Sequence, residues 1–326
     1  METTAIQLHR HGGPEVLEVT TVDVGEPGPG EVRIRQTAIG LNFADIYQRR
    51  GQHGPHSATP FPITLGSQGA GVIDALGAGV EGLRQGQPVA CFAPGAYQAV
   101  RNVAASRVIP LPDGFPQEVA GASLLRGLTA EYLLRRLYVV KPGDAVLVHA
   151  AAGGMGLILS QWARALGATV IGTVGSDVKA AIAQAYGCHH VINYRTEDFV
   201  ARTLALTGGT GVAVVYDAVG KDVFLPSLDC LKPLGMAINY GTASGDVERF
   251  DLQRLHARSL TVCRPTLRTF ISEPGDLSRG ANALFDVVRS GTVHLDVNRR
   301  YALADVRRAH EELESRSTTG SAVLIP

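Results

Sequence analysis

The sequence predicts an α/β chain in which a β-rich domain is interrupted by a doubly wound parallel sheet of six strands. Three observations carry this. Glycine and proline break the first third into short β-branched stretches. After Gly114, apolar runs alternate with helical segments. The C-terminal tail ends in an apolar strand too small to stand alone. At 326 residues, two domains are expected at roughly 150 residues each.

The elements follow in order. Residues 16–24, 31–39 and 69–76 read as strands, separated by turn signals such as Gly25-Glu26-Pro27-Gly28-Pro29-Gly30. Residues 42–50 read as a helix stopped by Gly51, and 117–137 as a longer one. Strands are expected at 145–150, 169–174, 191–194, 212–219, 235–240 and 260–263. Helices are expected near 155–167, 177–187, 196–207 and 222–231. The strand runs are nearly all apolar rather than alternating, as in a parallel sheet covered on both faces. Residues 282–289 and 303–314 read as helices, and 321–326 as a strand that completes the first domain. The expected boundaries are 1–125 with 267–326 for the β-rich domain, and 126–266 for the sheet.

Composition removes several function classes. Thirty basic residues balance thirty acidic ones, so nothing marks a nucleic-acid partner or an anionic membrane. Cys91, Cys188, Cys230 and Cys263 form no C-x-x-C pair, which argues against a zinc lobe or a disulfide framework and for a reducing, cytoplasmic setting. The N-terminal residues lack an apolar signal core. Residues 145–163 carry no charge and are long enough to span a bilayer, but the central glycines with Ser160 and Gln161 favour a strand, a turn and a helix. Glycine is in surplus: 38 residues, where about 23 would be usual.

Part of that surplus sits in His149-Ala150-Ala151-Ala152-Gly153-Gly154-Met155-Gly156. This run follows an apolar strand and opens a helix whose Met155, Ile158, Leu159, Trp162 and Leu166 share one face. Glycine there lets backbone approach a pyrophosphate, and the helix N-terminus offers free N–H groups. The pattern is A-x-x-G-x-x-G, placed as a dinucleotide turn requires. Ala152, Gly153, Gly154, Met155 and Gly156 are therefore cofactor candidates.

The next strand bears on which dinucleotide binds. An NAD site places an acidic residue at its tip, whereas here the run is Gly172-Thr173-Val174-Gly175-Ser176, with Lys179 following and Tyr194 closing the third strand. Gly172 and Gly175 would clear space near the ribose, and Ser176, Lys179 and Tyr194 would hold a 2′-phosphate. That favours NADPH; Asp177 weakens the argument, and Lys179 on its own also reads as a surface lysine. Val219, Tyr240 and Gly241 end the fourth and fifth strands, where ligands of such sheets collect.

The run GLTA-x-YLL at 127–134, then HAAAGGMG, VINYR and YDAVG, resembles the zeta-crystallin-like quinone oxidoreductases of the medium-chain dehydrogenase/reductases. HRHGGPEVLEV, AIGLNFADIYQRRG and the terminal HEELESRSTTGSAVLIP resemble the bacterial members in particular. The resemblance spans essentially the whole chain. It implies a GroES-like β-rich catalytic domain, a Rossmann domain, NADPH, and quinones or related enones as acceptors. It also implies a homodimer through the edge strand at 260–263.

Zinc-dependent relatives carry a cysteine ligand early and a G-H-E-x-x-G segment. This chain has Asn42 and Gly66-Ser67-Gln68-Gly69-Ala70-Gly71, so no metal is expected. His53 with His56, and His189 with His190, read as loop histidines because neither pair has a third ligand in sight. By resemblance, Asn42 lies near the nicotinamide, Thr129 touches its amide, and Arg316 contacts the cofactor. Tyr47 either lines the acceptor pocket, supplying a hydrogen bond or a proton, or packs its helix; Asp45 reads as solvated or structural. Arg264 either projects into the cleft or forms an exposed ion pair. Three activities fit: quinone reduction, reduction of α,β-unsaturated aldehydes or ketones, and an NADPH-binding role in RNA binding or structure.

Overall fold

The computed structural model describes residues 1–52, 60–315 and 319–326. By its contacts the chain divides into Met1–Leu125 with Leu295–Pro326, and Arg126–His294. In chain order the first unit holds β1 (Glu2–Leu8), β2 (Glu18–Asp23), β3 (Glu31–Gly40), α1 (Phe43–Arg49), β4 (Ile63–Thr64), β5 (Gln68–Leu76), β6 (Pro88–Phe92), β7 (Val100–Ala104) and β8 (Val108–Pro110). Helix α2 (Gln117–Tyr132) leads into β9 (Ala145–Val148), α3 (Gly154–Ala165), β10 (Thr169–Val174), α4 (Asp177–Ala185), β11 (His190–Asn193), α5 (Phe199–Leu206) and β12 (Val212–Asp217). Then come α6 (Phe224–Ser227), β13 (Leu231–Asn239), β14 (Thr261–Cys263), α7 (Leu267–Phe270) and α8 (Asp276–Arg289). The first unit resumes with β15 (Val297–Ala302), α9 (Val306–Glu314) and β16 (Ser321–Ile325).

In the first unit β3 is the organising strand. Val32, Ile34 and Ala38 face inward, while Arg33 and Arg35 face out and share Asp74 of β5 at 2.7 and 3.2 Å. The main sheet runs β15-β16-β3-β5-β6-β8, with β7 also on β3, and a smaller sheet runs β2-β1-β4. β16 lies antiparallel on β3, pairing Leu324 with Ile39, so the C-terminal strand joins the N-terminal sheet. Ile6, Leu8, Leu17, Ile39, Tyr97 and Leu324 share one core cluster. Strands β1, β4, β6, β7, β8 and β15 go beyond the sequence reading. β8 has three residues and β6 opens on Pro88, so their pairing partners rather than their own patterns define them.

The second unit is the expected parallel sheet, in the order β11-β10-β9-β12-β13-β14, every pair parallel. All six residues of β12 are buried, the signature of a strand covered on both faces. Because the strands are parallel, their C-terminal ends lie along one edge, and the strand order reverses between β9 and β12. The charge-free stretch 145–163 resolves into β9, a turn and α3. No helix among the described residues is long and apolar enough to cross a membrane.

The return to the first unit comes at Leu295 rather than at 267, because α8 packs within the second unit. A Cβ at Gly127 would meet the Leu284 side chain at 2.3 Å, and one at Gly280 would meet Leu128 at 2.8 Å. Glycines on facing helices thus permit a close approach that the tail's sequence does not advertise.

Candidate active site

The edge at the C-terminal ends of β9, β10, β12 and β13 gathers most of the expected cofactor residues. β9 runs into His149, and Ala150 then turns left-handed at φ 53°. Gly153, extended, caps α3 without any side-chain hydrogen bond, so the first N–H groups of the helix remain for an anion. A Cβ at Gly153 would meet only Ala150 O, at 3.1 Å, so the space over the turn is otherwise open. At Gly156 a Cβ would press on Ala150 O at 2.4 Å and on Ala151 backbone at 2.7 Å; this glycine seats the helix against the turn.

His149 is a residue the sequence reading quoted but did not use. Its ring is buried, with Nδ1 against Thr173 Oγ1 and Nε2 against Ser227 Oγ, both at 2.8 Å. Burial holds its pKa down at about 3, so the imidazole is neutral. It ties the end of β9 to β10 and α6 directly beneath the turn. The signal available was a histidine inside an apolar strand end.

At the next strand, Ser176 Oγ accepts from Lys179 N at 3.3 Å and caps α4. Tyr194, about half exposed, lies over Gly175: a Cβ there would come within 2.5 Å of its phenol oxygen. The Asp177 carboxylate is engaged by Asn193 Nδ2 at 2.9 Å. Gly175, Ser176, Tyr194 and the backbone of Lys179 therefore form one corner. Gly172 does not belong to it. A Cβ there would strike Cys188 Sγ at 2.6 Å and Ala151 Cβ at 2.7 Å, so this glycine serves core packing, not the ribose.

The tips of β12 and β13 are clasped by a second missed residue, Asp217. Its buried carboxylate accepts from Val219 N (2.7 Å), Gly220 N (3.0 Å) and Asn239 Nδ2 (2.8 Å), while burial raises its pKa. Asn239 Nδ2 also donates to Gly241 O at 2.8 Å. Tyr240 N donates to Asp217 O at 2.8 Å. Arg264 donates to Asn239 Oδ1 at 2.6 Å and Asn239 O at 3.1 Å, so its guanidinium is held against this clasp. Thr129 is buried on α2 in the same unit. Arg316, His53 and His56 lie outside the described residues.

In the first unit, Asn42 caps α1 and is buried; Tyr47 is half-buried, its ring 6.3 Å from that of Phe43. Asp45 is buried and structural, with Oδ2 accepting from Asn42 N at 2.8 Å and Tyr97 Oη at 3.0 Å. In the segment after β4, Gln68 is fully buried, donating to Ala122 O at 3.2 Å and accepting from Leu125 N.

Residues 28–140 match the model of the alcohol dehydrogenase GroES-like domain, and residues 154–284 that of zinc-binding dehydrogenases. The chain is 48% identical to a quinone oxidoreductase of Salmonella typhimurium over 99% of both chains. It is 44% identical to a 2-haloacrylate reductase of a Burkholderia species, over 99% of this chain and 98% of the relative. A crystal structure of Escherichia coli quinone oxidoreductase complexed with NADPH superposes with a TM-score of 0.95 at 44% identity, covering 99% of this chain and all of that one.

The zinc in one of those descriptions does not suit the residues present. Asn42 and Ser67 offer no soft or imidazole donor, and Gln68 is engaged by backbone. No three His, Cys, Asp or Glu side chains converge among the described residues. A dinucleotide does suit the uncapped α3 and the open space over Gly153. Sequence identity over its full length places the chain in the quinone oxidoreductase family of the medium-chain dehydrogenase/reductases.

Proposed function

We propose that this protein is an NADPH-dependent quinone reductase that works without a metal. The observation that carries the reading is the edge of the parallel sheet, where an uncapped helix start, an open glycine turn and the Gly175–Ser176–Lys179–Tyr194 corner lie on neighbouring strands. The helix start and turn suit a pyrophosphate. The corner suits a 2′-phosphate: Ser176 and Tyr194 bring hydroxyls and Lys179 an ammonium, while the Asp177 carboxylate is engaged by Asn193.

Bound there, NADPH supplies the hydride. The chain's own residues hold and orient. Gly153, Gly154 and Gly156 shape the turn, with Ala152 and Met155 beside them. Val219, Tyr240 and Gly241 are held by the Asp217–Asn239–Arg264 clasp, and Arg316 is assigned a further cofactor contact. Thr129 and Asn42 orient the nicotinamide. Tyr47 lines the acceptor pocket, where its phenol hydrogen-bonds or protonates the reduced oxygen. A quinone needs little more, since delocalisation stabilises its reduced oxyanion.

The identity to a 2-haloacrylate reductase supports a second reading, reduction of an activated carbon–carbon double bond by the same cofactor edge. The two separate in one assay: NADPH oxidation with 1,4-benzoquinone, cyclohexenone and 2-chloroacrylate, repeated with NADH. Turnover of the quinone with NADPH preferred is expected. No quinone turnover, or a preference for NADH, overturns the first reading, and turnover of the other acceptors alone establishes the second.

Two further assignments belong to the same proposal. β14 is an edge of the parallel sheet and is assigned as the contact of a homodimer, read by the mass in solution. The four free cysteines, three of them buried, suit a cytoplasmic setting.

A further inference from the structure

Helix α1 has only seven residues, too few to hold an orientation by its own backbone hydrogen bonds. What fixes it is a closed circuit of buried side chains that leaves the helix and returns to it. Arg49, fully buried, donates from Nε to Gly12 O at 3.1 Å and from one terminal nitrogen to His310 Nδ1 at 3.1 Å. Its other terminal nitrogen reaches Glu314 at 2.5 Å, a carboxylate that Arg50 also contacts at 2.7 Å. His310 Nε2 lies 3.1 Å from Tyr97 Oη, and Tyr97 donates to Asp45 Oδ2 at 3.0 Å. Asp45 then accepts from Asn42 N, at the start of the same helix.

The donor directions around this circuit are forced. A guanidinium only donates, so His310 Nδ1 accepts and the neutral ring carries its proton on Nε2. That proton goes to Tyr97 Oη, whose single hydrogen is left for Asp45. Each group is used in one sense, and no alternative orientation satisfies all of them. Burial, together with Arg49, lowers the His310 pKa to about 3, in keeping with a neutral ring. The members come from positions 12, 42–50, 97 and 310–314, four segments of the first unit.

We propose that Asp45, Tyr97 and His310 are positioning residues, whose hydrogen-bond circuit sets the placement of Asn42 for acceptor reduction. The inference rests on the reading of Asn42 given above. It makes the circuit a determinant of rate rather than of cofactor affinity, because the nucleotide turn is built from other residues in the other unit.

The experiment is a double-mutant cycle between Tyr97→Phe and Asn42→Ala, with kcat for 1,4-benzoquinone, NADPH affinity by fluorescence, and melting temperature read for each variant. His310→Gln is the second probe should Tyr97→Phe fold poorly. The expected result is a roughly tenfold or greater loss of kcat in Tyr97→Phe, with NADPH affinity held within about twofold. In the Asn42→Ala background the same change should cost nothing further, because the positioned group is already gone. Wild-type kcat in both Tyr97→Phe and His310→Gln, whatever happens to melting, overturns the positioning role. A full additional penalty in the double variant also overturns it. If Asn42→Ala itself turns over normally, the reading of Asn42 fails and takes this inference with it.

Discussion

The two regions proposed to carry the chemistry are built in opposite ways. At the edge of the parallel sheet, backbone does most of the work: a left-handed Ala150, an uncapped helix start and glycines where a Cβ would collide. At α1, side chains do it, through Arg49, His310, Tyr97 and Asp45 drawn from distant parts of the sequence. Backbone sites have a local signature, because the required φ angles and clearances are met by particular residues in consecutive positions. Side-chain circuits have none, because nothing near position 45 announces a partner at 97 or at 310.

The sharpest test of that contrast lies within the turn. Gly156→Val drives a side chain into Ala150 and Ala151 backbone, and should cost about 3 kcal/mol or more along with all NADPH binding. Gly153→Val meets a single oxygen at 3.1 Å, so it should keep the fold yet lose the cofactor. Melting temperature and NADPH titration, read together, separate the two. Retained NADPH affinity in Gly153→Val would remove this glycine from the pyrophosphate site.

A smaller effect is expected at the ribose corner. Lys179→Ala should weaken NADPH by about 1.5–3 kcal/mol, the loss of one charge-assisted hydrogen bond, with NADH little changed. An equal loss for both cofactors would take Lys179 out of the 2′-phosphate site.

A pH-dependent effect of similar size compares the units through their buried histidines, His149 and His310, each held at about 3. In the unfolded chain both return to about 6.5 and take up protons first. Their contribution to stability is therefore complete above about pH 6.5 and falls as pH drops towards about 3, by about 1.4 kcal/mol per pH unit for each ring. Denaturant unfolding between about pH 6.5 and about pH 4.5 should show that slope reduced by one proton in His310→Gln and in His149→Asn. An unchanged slope in either variant would mean that its ring is already charged in the folded protein.

The second unit was largely legible, and for a physical reason. Strands buried on both faces must be continuous apolar runs, so β9, β10 and β12 declare themselves. The first unit was less so: β6, β7 and β8 are short, broken by proline and glycine, and defined by their pairing. Within the site, the turn and the Gly175–Tyr194 corner could be read directly. His149 and Asp217 could have been noticed as polar residues at the ends of apolar strands, but not their partners Ser227 and Asn239. Gly172 reads with the ribose corner because it lies three residues from Gly175; the Cys188 side chain that fills the space beside it comes from the segment between α4 and β11.

By itself, then, the sequence determined the doubly wound sheet, the glycine turn between β9 and α3 and the poor match to zinc, since each depends on residue types at short spacing. The tertiary structure decided which segment α8 joins, why Gly172 is a glycine, what Arg264 holds, and how α1 is oriented. Those depend on contacts between residues far apart in the chain, where burial turns an ordinary tyrosine, histidine or aspartate into a group with one permitted hydrogen-bond arrangement.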